Sequence, residues 1–351
     1  MTAFQTSLRS SLALMVCFAG ATLFVTMGTV LPWMIGPMLA MALASMLGLP
    51  VKRPTLALPV GQIVVGTALG LFFTHAVLTQ IWSLVPYLIS ATLFAFILGV
   101  ACAVLLKKLS GCDVHTAYFA SLPGGAAEMS NLAAKLGGRA DWVAAAHALR
   151  IVLVVLTIPP LMNFAGVQAL EIRAISTTEV YYLGLIGMLM LSTCAGFMLR
   201  WLKIPNCWVI GPLLITVLLA GFGLDNSAMP RWASNGAQLL IGCALGCRFD
   251  KAFLRTGPRF MSAVAFTVYV SIILAAVFGY LISQISSIDV PTAILATAPG
   301  GVAEMTITAK VLQVGVPVVT SFHVMRMAFL VLSAGPLFSF YVLLSSLLKK
   351  K

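Results

Sequence analysis

Long apolar stretches, separated by short polar gaps, run along the whole chain. A membrane-spanning helix needs about 20 mostly apolar residues, and most of the stretches approach or exceed that length. Two of them, 32–48 and 57–73, are short for a span. The apolar segments lie at about 11–30, 32–48, 57–73, 84–106, 113–135, 140–163, 181–200, 206–222, 233–247, 260–284, 289–312 and 315–346. The pattern predicts an all-α polytopic membrane protein whose main partner is the lipid bilayer.

Composition strengthens this prediction. The chain of 351 residues is 61% hydrophobic and 9% charged, with a mean hydropathy of +1.06, whereas soluble domains carry about 25% charged residues. The net charge of +12 does not indicate a nucleic-acid partner, because the basic residues occupy gaps between apolar stretches, as at Lys52-Arg53. The first apolar run, 12–26, has an equivalent at 183–199 and is therefore interpreted as a permanent span rather than a cleaved signal peptide.

The sequence repeats itself at a nearly constant offset of 175 or 176 residues. A Trp-x-Ile-Gly-Pro motif occurs at 33–37 and again at 208–212, and a Pro-Gly-Gly-(Ala/Val)-Ala-Glu-Met motif occurs at 123–129 and again at 299–305. Further pairs at an offset of 176 are Gln62 and Gln238, Asp113 and Asp289, Thr116 and Thr292, His147 and His323, and Arg150 and Arg326. The chain is therefore predicted to contain two membrane repeats, residues 1–170 and 171–351.

The fifth apolar segment of each repeat is broken by Pro-Gly-Gly, and it is either a discontinuous spanning helix or a re-entrant hairpin. Twelve spans in parallel repeats divide the loop Lys and Arg residues 10 to 9 between the two sides. Re-entrant fifth segments give ten spans in inverted repeats and a division of 16 to 3, whereas a re-entrant second segment gives 9 to 10. The positive-inside rule therefore favours two inverted repeats of about five transmembrane helices each, plus one broken helix per repeat, with both termini cytoplasmic.

The Pro-Gly-Gly breaks form the first candidate site. Inverted repeats with interrupted helices are the usual construction of secondary transporters. The glycines are expected to allow positive φ and close backbone approach. The helix that follows each break offers free N–H groups to an anion, and the half-helix before it offers carbonyls to a cation. The alternative is a tight break needed only for packing. The residues concerned are Pro123, Gly124, Gly125, Pro299, Gly300 and Gly301.

Two carboxylates, Glu128 and Glu304, follow the glycines in the first turn of the next helix. A carboxylate inside a membrane is costly and usually faces a cavity or a partner. Each glutamate is therefore a candidate proton carrier or cation ligand. The alternative is that each only neutralises the helix dipole or an arginine.

Each sixth segment carries a histidine and an arginine three residues apart, and therefore on one helix face. These pairs are His147 with Arg150 and His323 with Arg326. The functional interpretation is recognition of an anion by the arginine, with the histidine as a proton-linked switch. The structural interpretation is a buried pair between each arginine and a glutamate, Glu128 or Glu304, that holds the hairpin against the sixth span.

The remaining polar and small residues have structural interpretations. Asp113 and Asp289 are predicted to be N-caps. The G-x-x-x-G spacings that follow Gln62 and Gln238 predict close helix packing. The seven cysteines lie mostly in apolar runs and imply no disulfide framework. No metal or cofactor site is predicted.

The doubled Pro-Gly-Gly and Trp-x-Ile-Gly-Pro motifs resemble those of the bacterial AbrB family of duplicated inner-membrane proteins, over nearly the whole chain. Members of that family are labelled as regulators of gene expression or as ammonia monooxygenases. The family is distinct from the small soluble DNA-binding regulators that share its name. The resemblance implies a bacterial inner-membrane location, and it supplies no established binding residues.

Three functions follow, in order of preference. The first is a carrier of a small solute or ion, either anionic or proton-coupled, with its site at the paired breaks. The second is a membrane protein that regulates gene expression indirectly, without binding DNA. The third, a monooxygenase, fits poorly because copper and di-iron sites need converging ligands and the only histidines are His75, His115, His147 and His323. No enzymatic activity is predicted, and a homo-oligomer is left open.

Overall fold

The computed structural model describes residues 3–166, 180–222, 227–249, 253 and 256–348. Several predictions about loops fall outside these ranges. They concern most of the connection between the two predicted repeats, with Arg173, and the basic residues Lys251, Arg255 and Lys349 to Lys351. The predicted charge asymmetry therefore depends in part on residues that the structure does not describe.

The described part of the chain is helical throughout, apart from short connections. Its fifteen helices are α1 (Ala3–Thr26), α2 (Pro32–Met46), α3 (Ala57–Gly70), α4 (His75–Ser83), α5 (Val85–Ser110), α6 (Val114–Ser121), α7 (Ala126–Lys135), α8 (Ala140–Phe164), α9 (Tyr182–Trp201), α10 (Cys207–Gly221), α11 (Arg231–Gly246), α12 (Pro258–Ile285), α13 (Val290–Thr297), α14 (Val302–Val311) and α15 (Val316–Leu348). This confirms the predicted all-α class.

Six of the described helices are long and apolar enough to cross a membrane. They are α5, α8, α9 and α12, together with Ser7–Thr26 of α1 and Val316–Phe338 of α15. The prediction of a multi-pass membrane protein is therefore confirmed. The shorter helices α2, α3, α10 and α11 have 15, 14, 15 and 16 residues, which is roughly 21–24 Å at 1.5 Å per residue.

These four short helices pack against one another through their glycines. Helix α3 lies against α10, and α11 lies against α2. A Cβ atom on Gly66 of α3 would stand 2.6 Å from the carbonyl oxygen of Val209, and one on Gly242 of α11 would stand 2.5 Å from that of Met34. Backbones can approach this closely only where the side chain is absent. The predicted role of the G-x-x-x-G spacings in helix packing is confirmed.

The long helices enclose the segments that carry the Pro-Gly-Gly breaks. Helix α5 packs on α6, and α12 packs on α13, while α5 and α12 also contact each other. The rings of Phe94 and Phe278 stack across that contact, with centroids 3.9 Å apart. Helix α8 covers α6 and α7, and α15 covers α13 and α14. Each broken segment is thus packed between a long helix on one side and the last long helix of its half on the other.

Each broken segment is a helical hairpin whose two ends meet. The hydroxyl of Thr116, in the first turn of α6, accepts a hydrogen bond from the backbone N–H of Arg139, which follows α7 (2.8 Å). The hydroxyl of Thr292 accepts one from Gly315 at the same distance. The carboxylates of Asp113 and Asp289 cap the first turns of α6 and α13, as predicted. The chain therefore leaves each hairpin close to where it entered it.

Candidate functional site

The two Pro-Gly-Gly tips meet around one cavity of about 280 Å³, called here the central cavity. Eleven of the twelve predicted site residues line it: Pro123, Gly124, Gly125, Glu128, His147, Arg150, Gly300, Gly301, Glu304, His323 and Arg326. The twelfth, Pro299, lines an adjoining pocket of about 30 Å³ together with Pro123, Arg150 and Arg326. The fold therefore brings the predicted residues of both halves together, and solute binding by them stays a prediction.

The paired glycines are needed for space rather than for unusual backbone angles. Gly125 and Gly301 have φ values of −66° and −80°, and none of the four tip glycines has a positive φ. The expectation of positive φ was therefore wrong. A Cβ on Gly125 would overlap the carboxylate of Glu128. A Cβ on Gly124 would stand 2.7 Å from Cε of Met129.

The second tip repeats this arrangement. A Cβ on Gly301 would overlap the carboxylate of Glu304, and one on Gly300 would stand 2.5 Å from Cγ of Met305. In both motifs the first glycine thus makes room for the methionine and the second for the glutamate. Both methionines are fully buried. The spacing of the motif follows from these two contacts.

The glutamates fold back across the first turns of their own helices. At this position a carboxylate faces the free N–H groups and the positive end of the helix dipole. Glu128 is partly exposed in the central cavity, whereas Glu304 is only 7% exposed. The site that we expected an external anion to occupy is therefore already shared with a carboxylate of the protein.

The two arginines bind the carbonyl ends of the first half-helices, not the glutamates. Arg150 donates from Nη1 to the carbonyl of Leu122 (3.0 Å). Arg326 donates to the carbonyls of Ala298 and Gly300 (2.6 Å each). Neither arginine forms an ion pair with a carboxylate in the described residues. The expected Glu–Arg pair was wrong, because the unsatisfied carbonyls at a buried helix end attract a cation strongly.

The histidines complete these two networks. Nδ1 of His147 lies 2.7 Å from Nη2 of Arg150, and Nε2 lies 2.9 Å from the carbonyl of Phe119. His323 makes the same pair of contacts with Arg326 and the carbonyl of Leu295. A guanidinium nitrogen can only donate, so Nδ1 must accept and the proton must be on Nε2.

Both histidines are therefore neutral in this conformation. Protonation would place an N–H on Nδ1 directly against the arginine donor. The arrangement gives no support to the proposed proton-linked switch. Instead, His147 and His323 accept hydrogen bonds from the arginines and orient them, a structural role that the sequence did not indicate.

Sequence reasoning missed several residues of the central cavity. Arg248, Asn206, Trp208 and Gln62 also line it. Arg248 follows α11 and was counted among the loop charges. Its counterpart at the offset of 176 is Phe72. This mismatch between the two repeats could have singled out Arg248 as a candidate site residue.

A second cavity of about 410 Å³, the vestibule, adjoins the central cavity. Its lining includes Ala126, Ala127 and Arg248, which also line the central cavity. The vestibule reaches the surface at Asn131 and Asp141, which are exposed. The central cavity is thus approached along helix α7.

The two hairpins differ strongly in exposure. In α7 only Met129 and Ala133 are buried. In α14 the whole stretch from Val302 to Ala309 is buried. Two hairpins with matching hydrogen bonds therefore stand in different surroundings, one beside the vestibule and the other packed within the protein.

The described part of the chain contains no recognisable metal site. No group of three or more His, Cys, Asp or Glu side chains is positioned there to hold a metal ion. His147 and His323 have both ring nitrogens engaged in the networks described above.

Comparison with known proteins gives a family and two relatives. A family model described as "Transition state regulatory protein AbrB" matches residues 33–342. The chain is 24% identical over 306 residues to "Putative regulator AbrB" of Escherichia coli (strain K12), with 86% of this chain and 87% of that protein covered. It is 27% identical over 361 aligned residues to "Uncharacterized protein YhjN" of Bacillus subtilis (strain 168), with 94% and 91% covered.

Proposed function

The chain belongs to the AbrB family of multi-pass membrane proteins, and from the geometry of its hairpins we propose that it is a secondary-transporter-like carrier of a small solute or ion. The observation that carries this proposal is the meeting of two Pro-Gly-Gly tips around one central cavity. Discontinuous helices that meet near the midplane form the solute sites of many secondary transporters.

The proposed topology has ten spans in two inverted repeats. The hairpin geometry supports it, because a segment whose ends meet does not cross the membrane. The spans are then α1, α2, α3, α5 and α8 in the first half, and α9, α10, α11, α12 and α15 in the second. Five crossings per half give the halves opposite orientations, with both termini in the cytoplasm of a bacterial inner membrane.

The proposed mechanism is alternating access. In this conformation the vestibule leads along α7 to the central cavity, while α14 is buried. The opposite state would expose α14 and bury α7. Under the proposed topology, the vestibule opens to the cytoplasm, because Lys135 and Arg139 lie on that side.

The arginine networks bear on what is carried. The carbonyl ends of α6 and α13 would otherwise suit a transported cation, but Arg150 and Arg326 already occupy them. A cavity of about 280 Å³ has room for a small organic solute. Glu128 and Glu304 are the remaining candidates for coupling to protons.

A second function has its own support. The family description and the printed name of the Escherichia coli relative both refer to regulation. A membrane protein can alter gene expression indirectly, by moving or sensing a signal molecule. This candidate uses the same central cavity but needs no net flux.

Flux in proteoliposomes tests the proposal. Purified protein is reconstituted, and charge movement and internal pH are recorded while small anionic, cationic and neutral solutes are supplied in turn. We expect at least one saturable flux in the wild type, and a large loss of that flux in Glu128→Gln and Glu304→Gln. Lys108→Gln removes an exposed charge that lines neither cavity and should retain the flux. Flux that persists in both glutamine variants would make the glutamates structural, and no flux with any solute would favour the sensory function.

A further inference from the structure

Arg248 stands at the junction between the central cavity and the vestibule. It belongs to neither hairpin, because it follows α11 in the connection towards α12. Its side chain contributes to the walls of both cavities. A solute that enters along α7 must therefore pass its guanidinium group.

Among the described residues, the guanidinium of Arg248 is attracted electrostatically by the carboxylates of Glu304 and Glu128, but no side chain or carbonyl binds it directly. It forms no hydrogen bond or ion pair with them, and it is partly exposed. Arg150 and Arg326 differ from it, because both are buried and their Nη atoms hold carbonyl and histidine groups. Within the described part of the chain, Arg248 is thus the cavity arginine that is partly exposed and whose Nη atoms are not bound to a carbonyl or a histidine, since only the buried Nε atoms of Arg150 and Arg326 lack a partner.

The charges around the central cavity leave an excess of positive charge. Among the described residues, its lining contains three arginines, Arg150, Arg248 and Arg326, and two carboxylates, Glu128 and Glu304. With all five ionised and the histidines neutral, the sum is +3 − 2 = +1. Uncompensated charge is costly inside a membrane. A single negative charge on the solute would neutralise the cavity.

The cavity wall is suited to an organic solute. Apolar side chains such as Leu58, Ile151, Leu245 and Met327 share it with the polar groups. A hydrated inorganic ion would gain little from these side chains, whereas a carbon skeleton would bury against them. A carboxylate matches the planar fork of a guanidinium in a bidentate contact.

We propose that Arg248 is the recognition residue for a small organic carboxylate that enters the central cavity from the vestibule. This assignment rests on the proposed carrier function and names its class of solute. It also accounts for a difference between the halves, because the counterpart of Arg248 is Phe72 and only the vestibule side then carries the recognition group.

Binding to the purified full-length protein in detergent tests the assignment without requiring transport. The melting temperature is followed by tryptophan fluorescence against a panel of sodium salts: acetate, lactate, succinate, glutamate, citrate, chloride, sulfate and phosphate. Acetamide, succinamide and choline serve as neutral and cationic probes. We expect saturable stabilisation by at least one of the carboxylates, with little or no effect of the neutral and cationic probes.

The variants make the test specific to the residue. Arg248→Gln should raise the half-saturating carboxylate concentration by about tenfold or more, and Arg248→Lys should raise it less, because the charge remains but the fork is lost. Lys108→Gln removes an exposed basic residue that lines neither cavity and should leave it unchanged. The melting temperature without solute shows whether each variant is folded.

Several results would overturn the assignment. These are stabilisation by inorganic anions alone or by the neutral or cationic probes, no saturable response to any carboxylate, and an unchanged half-saturation in Arg248→Gln. The carrier proposal fails separately. Carboxylate binding without flux in proteoliposomes refutes the carrier alone, and flux of a cation or neutral solute without carboxylate binding refutes the role of Arg248 alone.

Discussion

At the residue scale, the Pro-Gly-Gly motif is explained by the side chains that follow it. Repetition in the sequence identified the right positions, but not the reason for them. The glycines leave room for Glu128 and Met129 in one tip and for Glu304 and Met305 in the other. A sequence shows that small residues occur at a break, whereas the contact that requires them depends on how the next turn folds back.

The arginines show a second limit of inference from the sequence. Opposite charges in one membrane segment suggested an ion pair, yet Arg150 and Arg326 bind backbone carbonyls. Backbone acceptors are present at every residue, so a sequence does not mark the few that a buried helix end leaves free. The hydrogen bonds to His147 and His323 depend on the same geometry.

Replacing the second glycine of each motif tests the space argument. Gly301→Ala should destabilise the protein by about 1–3 kcal/mol through overpacking against Glu304. Gly125→Ala should cost less, because Glu128 is partly exposed and can turn into the cavity. Thermal unfolding in detergent measures both. In a Glu304→Ala background the Gly301→Ala change should cost much less, and an equal cost in the two backgrounds would contradict the contact.

At the element scale, the sequence located most helices but not their relations. The predicted segments 57–73 and 84–106 correspond to α3 and α5. Helix α4 was missed, because it has only nine residues in a polar gap between apolar runs. For the fifth segment, the distribution of basic residues favoured a re-entrant hairpin over a spanning helix. The hydrogen bonds from Arg139 to Thr116 and from Gly315 to Thr292, which close the hairpins, join residues 23 positions apart and have no local signature.

One substitution removes the hydrogen bond from Gly315 to Thr292 that closes the second hairpin. Thr292→Val keeps the shape of the side chain but leaves the N–H of Gly315 without its acceptor, which should cost about 1–3 kcal/mol. Thr320→Val is the matched control, since that buried hydroxyl only donates to a carbonyl one turn earlier in α15. Thermal unfolding and hydrogen exchange at Gly315 would report the difference. Equal effects of the two valine substitutions would show that the hydrogen bond from Gly315 to Thr292 adds no particular stability.

At the scale of the whole molecule, composition alone indicated a membrane protein, and six long apolar helices confirm it. The number of crossings is harder to infer, because α2, α3 and α10 are shorter than a usual span. Their glycines bring them into close backbone contact with neighbouring helices. Periodicity in a sequence does not reveal how such short helices are accommodated, so the ten-span arrangement remains a proposal.

Cysteine labelling measures the proposed orientation. In a cysteine-free background, Lys135→Cys should react with a membrane-impermeant maleimide in inside-out vesicles, and Tyr182→Cys in right-side-out vesicles. Both positions are exposed, and the inverted arrangement places them on opposite sides. Arg200→Cys, at the other end of α9 from Tyr182, is the internal control and should match Lys135. Reaction of Lys135→Cys and Tyr182→Cys from the same side would refute the inverted repeats.

The shortness of the hairpins has an electrical consequence. Half-helices of 8 and 10 residues reach about 12–15 Å, and under the proposed topology the vestibule would admit water close to the first tip. In that arrangement most of the membrane voltage would fall across the protein beyond that tip, instead of across the whole bilayer. Each unit charge that crosses it exchanges about 2.3 kcal/mol per 100 mV. A displacement of a few ångströms at the tips would couple an ionised cargo to nearly the full electric field.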